Sequence, residues 1–319
     1  MRRLLLGKSG IEVSELCFGA LPMGPLQKDL DMESGSAVIA RALEGGVNFI
    51  DTAQLYRTYS LIRAALERVD RRPVIASKST AADYDGMRRA VDEALEALGV
   101  GRLDIFHLHA ARADVDVFER RRGAWQCLLD CRAAGLIRAV GISTHTVPVV
   151  ERAAAMAEVD VVFPLLNFQG TGILQGTVAT MIAAIRRCLA AGKGVYLMKV
   201  LGGGCLVGEY HRAFAYVRRL FPDVPLAVGM VSEAEVDYNL AYFTASEAER
   251  AAMPPLPAAA KRFQVVAVVC QRCGTCVGAC PNGAISQAAA DQVPVIDPQL
   301  CLRCGYCVGE CPEFAIRMV

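Results

Sequence analysis

Residues 73–110, PVIASKSTAADYDGMRRAVDEALEALGVGRLDIFHLHA, decide the fold. Two β-branched apolar runs, PVIASKS (73–79) and LDIFHLHA (103–110), flank a segment of different period. In that segment, GMRRAVDEALEALG (86–99), apolar residues fall at i, i+3, i+4 and i+7, the stripe of an amphipathic helix. Strand, helix and strand in this order make a βαβ unit, whose two strands run parallel. The alternation continues outward on both sides. SELCFGAL (14–21) and NFIDTA (48–53) precede it, and AVGISTH (139–145), VVFPLLN (161–167), GVYLMKVL (194–201) and PLAVGM (225–230) follow. Near-continuous apolar runs of this kind are strands buried on both faces. Eight units in about 240 residues predict an α/β architecture closed as a (β/α)8 TIM barrel. An open doubly wound sheet is the alternative, and the lack of a G-x-G-x-x-G opening a first helix weighs against it. The leading MRRLLLGKSGIEV predicts a hairpin closing the barrel floor.

The C-terminal end is organised differently. CQRCGTCVGACPNGAI (270–285) returns as CLRCGYCVGECPEFAI (301–316), with eleven of sixteen positions identical, so this is an internal repeat. Each copy reads C-x2-C-x2-C-x3-C-P. Eight thiolates in two such runs suit two 4Fe–4S clusters, with the fourth Cys of each run ligating the other cluster. One cluster then takes Cys270, Cys273, Cys276 and Cys311, and the other Cys280, Cys301, Cys304 and Cys307. Pro281 and Pro312 turn the chain after the fourth ligand, and Gly274 and Gly305 permit tight bends between ligands. Zinc accounts for C-x2-C pairs but not for the third and fourth Cys or the duplication. Disulfides disagree with the crowded spacing. The segment resembles a bacterial two-cluster ferredoxin.

Composition narrows the setting. The chain has 319 residues, a net charge of +1 and 54% apolar residues. No apolar run reaches the length of a membrane span and no basic cluster calls for nucleic acid, so neither membrane insertion nor nucleic acid is expected. Thirteen cysteines with a three-leucine core in place of a signal segment predict a reducing cytoplasm. Cys17, Cys127, Cys131 and Cys188 read as small apolar residues on buried faces; Cys205, after three glycines, does not fit that pattern. The expected division is a barrel over 1–250, a linker over 251–262 and a small α+β ferredoxin-like iron–sulfur domain over 263–319.

In barrels of this kind chemistry sits at the C-terminal ends of the strands. Asp51, Lys78, His109, Ser143, Asn167 and Lys199 all fall at or near such ends, with Tyr56 just beyond Asp51. A lysine ending the buried strand VIASK requires a partner, and Asp51 is the nearest candidate. His107, two residues before His109, reads as a hydrogen-bonded core histidine.

LGKSGIEVSELCFGALPMG, NFIDTAQLY, VIASK, LDIFHLH and VGIS stand in an order and spacing that resemble the aldo/keto reductase family, over residues 4 to about 243. LPMGPLQ and MKVLGGG resemble its branch with a C-terminal ferredoxin-like domain. The resemblance implies a carbonyl reductase using NADP(H) or NAD(H). Asp51, Tyr56, Lys78 and His109 would be its catalytic four: Tyr56 the acid, Lys78 lowering the phenol's pKa, Asp51 positioning Lys78, and His109 orienting the carbonyl oxygen. Ser143, Thr144, Asn167, Lys199, Gly202, Gly203, Glu235 and Asn239 would face the nicotinamide cofactor, the glycines by close approach to its pyrophosphate. Thr144, Phe163, Met198 and Val231 stand where the family usually has Asn, Gln, Tyr and Arg. Arg57 and Tyr59 would line the pocket. The expected partners are a small carbonyl substrate and a ferredoxin or other electron-transfer protein. Two other readings compete: a nicotinamide-independent, ferredoxin-linked reductase, and an electron carrier whose barrel is a non-catalytic scaffold.

Overall fold

The computed structural model describes residues 1–256, 262–280, 282–301 and 306–318. Two short strands, β1 (Arg3–Leu5) and β2 (Glu12–Ser14), pair antiparallel as the expected hairpin. Its turn lies against the start of the seventh barrel strand, where the Lys8 amide donates to the Gly192 carbonyl.

The barrel alternates strands and helices in order. These are β3 (Leu16–Gly19), α1 (Met32–Glu44), β4 (Phe49–Asp51), α2 (Tyr59–Leu66), β5 (Val74–Ser79), α3 (Tyr84–Leu98) and β6 (Leu103–His109). They continue with α4 (Val117–Arg120), α5 (Arg122–Ala133), β7 (Ile137–Thr144), α6 (Val147–Ala155), β8 (Val161–Pro164), α7 (Val178–Ala190) and β9 (Gly194–Val195). The last turns are α8 (Tyr210–Leu220), β10 (Leu226–Gly229), α9 (Glu233–Thr244) and α10 (Glu247–Ala252). All eight barrel strands are parallel, in the order β10-β3-β4-β5-β6-β7-β8-β9. The ring closes through a parallel bridge between Leu197 and Leu226.

The helices begin and end where their sequence directs. The Asp83 carboxylate accepts the Gly86 amide 2.7 Å away to cap α3, and Gly99 ends it in the left-handed conformation. An outer apolar layer fills the space between strands and helices, with Phe18, Phe106, Trp125 and Phe214 among its buried residues. A second cluster fills the barrel itself. Cys17, Phe49, Ala76, Ile105, Ala139 and Val161 point inward from successive strands, above Leu6, Ile11 and Val13 of the hairpin.

The seventh strand is shorter than its apolar run predicts. GVYLMKVL (194–201) contributes only Gly194–Val195 to the ladder, then isolated bridges at Leu197 and Met198. Lys199 takes a left-handed backbone with φ 62°, so the chain leaves the sheet there.

The C-terminal part carries β11 (Phe263–Val265), α11 (Thr275–Gly278), β12 (Ile285–Ser286), β13 (Val295–Ile296), α12 (Tyr306–Glu310) and β14 (Ile316–Met318). β11 pairs antiparallel with β14 and β12 with β13, so two small ribbons and two helical turns enclose its core. The helical turns recur at equivalent places in the two repeats, and Cys276 and Cys307 sit on them. Cys304, Gly305 and Pro281, read from the sequence as ligand and turn residues, lie outside the described residues. Among the described residues no helix is long and apolar enough to cross a membrane.

Candidate active site

Parallel neighbours β4, β5 and β6 bring their C-terminal ends together, which assembles residues far apart in sequence. Asp51 ends β4, Lys78 stands one residue before the end of β5, and His109 ends β6. Lys78 is buried, and its Nζ donates to Asp51 Oδ2 at 2.6 Å and to the Thr52 carbonyl at 2.8 Å. Tyr56 ends the helical turn Gln54–Tyr56 beyond β4. Lys78 Nζ lies over the Tyr56 ring, 4.8 Å from the ring centre, close enough to act on the phenol electrostatically. The Tyr56 and His109 rings meet edge to face at 6.0 Å.

The second carboxylate oxygen is held by a residue the sequence did not announce. Tyr196 is fully buried inside the barrel, and its hydroxyl donates to Asp51 Oδ1 at 2.9 Å. His107 Nε2 lies 2.8 Å from the same hydroxyl, and Phe163 stacks on the Tyr196 ring at 3.8 Å. The chain His107–Tyr196–Asp51–Lys78–Tyr56 is thus one connected polar network in a hydrophobic barrel. Its only early signal is strand alternation: Tyr196 lies two residues before Met198 and shares its inward face.

The charges follow from burial and neighbours. Burial pulls Lys78 down, but Asp51 and Tyr56 outweigh it and hold the ammonium above its ordinary pKa. Burial raises the Tyr56 phenol and Lys78 opposes that rise without reversing it. The phenol is therefore raised, not lowered below its ordinary value as expected: desolvation exceeds the pull of the ammonium. Burial, then Lys78, Arg121 and Lys199, push His109 down to about 3, so its imidazole is neutral at neutral pH. Its Nδ1 is buried and has no partner.

Two cavities meet at this network. The larger, about 570 Å³, is lined by Tyr56, His109, Ser143, His145, Lys199 and Arg317, among others. The other, about 440 Å³, runs from Asp51 and Tyr56 past Met198, Lys199 and Gly203 to Glu235 and Asn239. Tyr56, Met198 and Lys199 line both.

The expected cofactor residues separate into groups. Ser143 faces the larger cavity beside His109, its ladder partner. Lys199, Gly203, Glu235 and Asn239 line the other, where Glu235 Oε2 accepts the Val231 amide at 2.9 Å. The Asn239 amide is engaged, accepting from the Tyr210 hydroxyl and donating to the Glu235 carbonyl. Thr144, Asn167 and Gly202 line neither cavity. Thr144 Oγ1 accepts the Thr146 amide, and Asn167 closes the turn to Thr171 through both ends of its amide. The glycine run has a second occupant. A Cβ on Gly203 would meet the Phe314 ring at 3.3 Å, and one on Gly204 would meet Met318 Cβ at 2.7 Å, so β14 and the residues before it pack on the run. Tyr59 turns into the barrel wall, 2.6 Å from Ser77 Oγ, and with exposed Arg57 stays outside both cavities.

Cys270, Cys273, Cys276 and Cys311 line one narrow cavity. Burial raises the Cys276 thiol, and Cys311, Cys270 and Cys273 raise it further, as expected where four sulfurs converge. Amides point at the sulfurs in a repeated pattern: Ala284 to Cys280 and Ala315 to Cys311, each at 3.3 Å and each four residues on. The Arg272 amide does the same for Cys270. Cys280, Cys301 and Cys307 belong to the core of the same part. Among the described residues no three His, Cys, Asp or Glu side chains are grouped to hold a single metal ion. Sulfurs set around a void, two of them, Cys270 and Cys311, met by backbone amides, fit an iron–sulfur centre better than one ion. Cys17, Cys127, Cys131 and Cys188 are buried in the barrel, while Cys205 packs against the C-terminal core.

A model of the aldo/keto reductase family matches residues 15–252, and a 4Fe–4S dicluster domain model matches residues 269–316. The chain is 29% identical over 124 residues to 2,5-diketo-D-gluconic acid reductase B of Corynebacterium, which covers 37% of this chain and 44% of that protein. It is 24% identical over 251 residues to D-threo-aldose 1-dehydrogenase of Pseudomonas, 67% of this chain and 74% of that protein. A solved Pseudomonas aeruginosa structure assigned to the aldo-keto reductases superposes with a TM-score of 0.65 at 25% identity, over 75% of this chain and 93% of its own.

Proposed function

From the premise that the chain belongs to the aldo/keto reductase family of oxidoreductases and carries a 4Fe–4S dicluster domain, we propose that it reduces a carbonyl compound at Tyr56. The observation that carries this reading is the Asp51–Lys78–Tyr56 network with His109, placed where the two cavities meet. The substrate would enter the larger cavity. The cavity toward α9 suits a nicotinamide dinucleotide in placement: it starts at the network and ends at Ser232, the cap of a 12-residue helix, and Glu235 in its first turn. A bound nicotinamide would supply hydride, and the iron–sulfur centres would supply single electrons.

Reduction of a carbonyl builds negative charge on its oxygen, and that oxygen takes a proton. The Tyr56 hydroxyl holds the proton. Lys78 holds the developing phenolate, since a neighbouring ammonium stabilises the charged form. Asp51 fixes Lys78, and Tyr196 fixes Asp51. The neutral His109 ring carries one N–H, which can donate to the carbonyl oxygen without competing as an acid. Burial of the network excludes water, which strengthens each of these interactions.

Replacing Tyr56 by Phe tests the assignment. The expected result is a fall in kcat of about 10²-fold or more with NADPH or NADH and a panel of aldehydes and ketones. Undiminished turnover would overturn it. The glycine run packed on β14 favours a second reading, a ferredoxin-linked reductase without nicotinamide. It is distinguished by titrating the anaerobic protein with NADPH and NADH, and the absence of binding by either would select it.

A further inference from the structure

The larger cavity contains positive charge that the proton-transfer network does not use. Arg317 comes from β14, in the iron–sulfur part, and reaches the mouth of the barrel. It is only 7% exposed, stacks over the Phe314 ring at 4.0 Å and, among the described residues, donates a hydrogen bond to the neighbouring Ile316 carbonyl alone, through Nη1. Lys199 lines the same cavity on a left-handed backbone that a lysine rarely adopts, and burial, Arg317 and Lys78 push its pKa well below the ordinary lysine value, a shift that an arriving anion would oppose. Neither pairs with a carboxylate among the described residues. Arg112 contributes a second guanidinium. Its Nη1 is bound to Glu313 at 2.6 Å and to the Pro312 carbonyl, while its buried Nη2 has no partner. Glu313, the acid that the C-terminal part contributes to this cavity, is therefore already engaged. Buried guanidinium groups without a counter-ion are costly unless an anion arrives.

Building on the carbonyl-reductase reading, we propose that Arg317 and Lys199 form an oxyanion site for the substrate, so that the compounds reduced at Tyr56 carry a carboxylate or a phosphate. The planar guanidinium fork matches either group by two parallel hydrogen bonds. Arg317 lines the larger cavity and not the one running to α9, so the arginine is set apart from the phosphates of a dinucleotide, while Lys199 borders both cavities. The cavity of about 570 Å³ holds a small acid with its carbonyl end at Tyr56 and His109. The site spans two parts of the chain, so the C-terminal part helps select the substrate as well as carrying clusters.

Calorimetric titration of the anaerobically purified, cluster-loaded full chain with benzoate, phenyl phosphate and benzamide tests this without turnover. At least tenfold tighter binding of one anion than of neutral benzamide is expected. The preferred anion then identifies the group, carboxylate or phosphate. Arg317→Gln is expected to bring the ratio close to one, and Arg317→Lys to restore part of it. Should Arg317→Gln lose iron, Lys199→Met carries the test and must cut the preference several-fold. No preference in the wild type, or one that survives both Arg317→Gln and Lys199→Met, overturns the proposal. So does a shift in cluster midpoint potential in Arg317→Gln with the preference intact, because the arginine would then serve the cluster beside Cys311. Failure of the reductase reading is separate: it would appear as carbonyl reduction unaffected by Tyr56→Phe, with the anion preference standing.

Discussion

Asp51 is bound through both carboxylate oxygens, and the two bonds have different consequences. Removing the charge by Asp51→Asn frees Lys78 from its anion, whereas Tyr196→Phe removes only one donor. An unsatisfied buried acceptor costs about 1–3 kcal/mol, so Tyr196→Phe is expected to reduce kcat roughly tenfold, less than Asp51→Asn. As a positioning residue, Tyr196 should also move the alkaline limb of the kcat–pH profile, since Lys78 and Tyr56 titrate there; a drop in kcat with an unmoved limb would mark a purely structural role. His109 makes a prediction of opposite kind. A histidine held down to about 3 is neutral throughout pH 5.5–8, so kcat should show no inflection near the ordinary value of about 6.5. An inflection there that disappears in His109→Gln would refute the neutral imidazole. The adjacency of Asp51, Lys78 and His109 was legible because strand ends in a parallel barrel share a rim. Tyr196 was not, because its partners His107 and Asp51 lie 89 and 145 residues away and only the closed barrel brings them together.

Secondary structure elements were legible to the extent that their signal is periodic. The eight apolar runs became eight strands in the expected order, since burial on both faces leaves a near-continuous run whatever the neighbours are. The length of β9 was not legible: the left-handed turn at Lys199 leaves no mark on the apolar pattern. The glycine run after it was read as a cradle for pyrophosphate, and the structure also gives it a packing role against β14. Gly204 has φ 102°, and its missing Cβ is the space Met318 occupies. Gly204→Ala therefore meets both backbone strain and a 2.7 Å contact, and should destabilise the chain by about 1–3 kcal/mol. Anaerobic urea unfolding followed at the iron–sulfur absorbance checks it. If the loss falls instead on an early transition of the barrel alone, β14 does not depend on this glycine.

At the scale of the whole molecule, the question is how two parts with separate sequence signatures act as one. The sequence announced both, because a (β/α) alternation and a cysteine repeat are each local patterns. The order of the two parts along the chain sets the second near the barrel mouth, but the contacts that join them were not legible, since they depend on single pairs of distant residues. Arg112, in the loop after β6, is the clearest of these. It ion-pairs with Glu313 at 2.6 Å and also holds the Pro312 carbonyl, next to Cys311, an expected cluster ligand. Both side chains are mostly buried, 21% and 16% exposed, so this pair is screened far less than a surface one. Removing one partner leaves a desolvated charge, whereas removing both does not. A double-mutant cycle with Arg112→Met and Glu313→Gln should therefore show coupling of about 0.5–3 kcal/mol, each single change costing more than its share of the double. Unfolding of the anaerobic protein, monitored at tryptophan for the barrel and at the iron–sulfur absorbance for the C-terminal part, should report one transition in the wild type and two in the single variants. Strictly additive effects, or two transitions already in the wild type, would mean that the barrel and the cluster-bearing part are tethered without being docked. In that case Arg317 could not be held at the barrel mouth, and the oxyanion site would lose its structural basis.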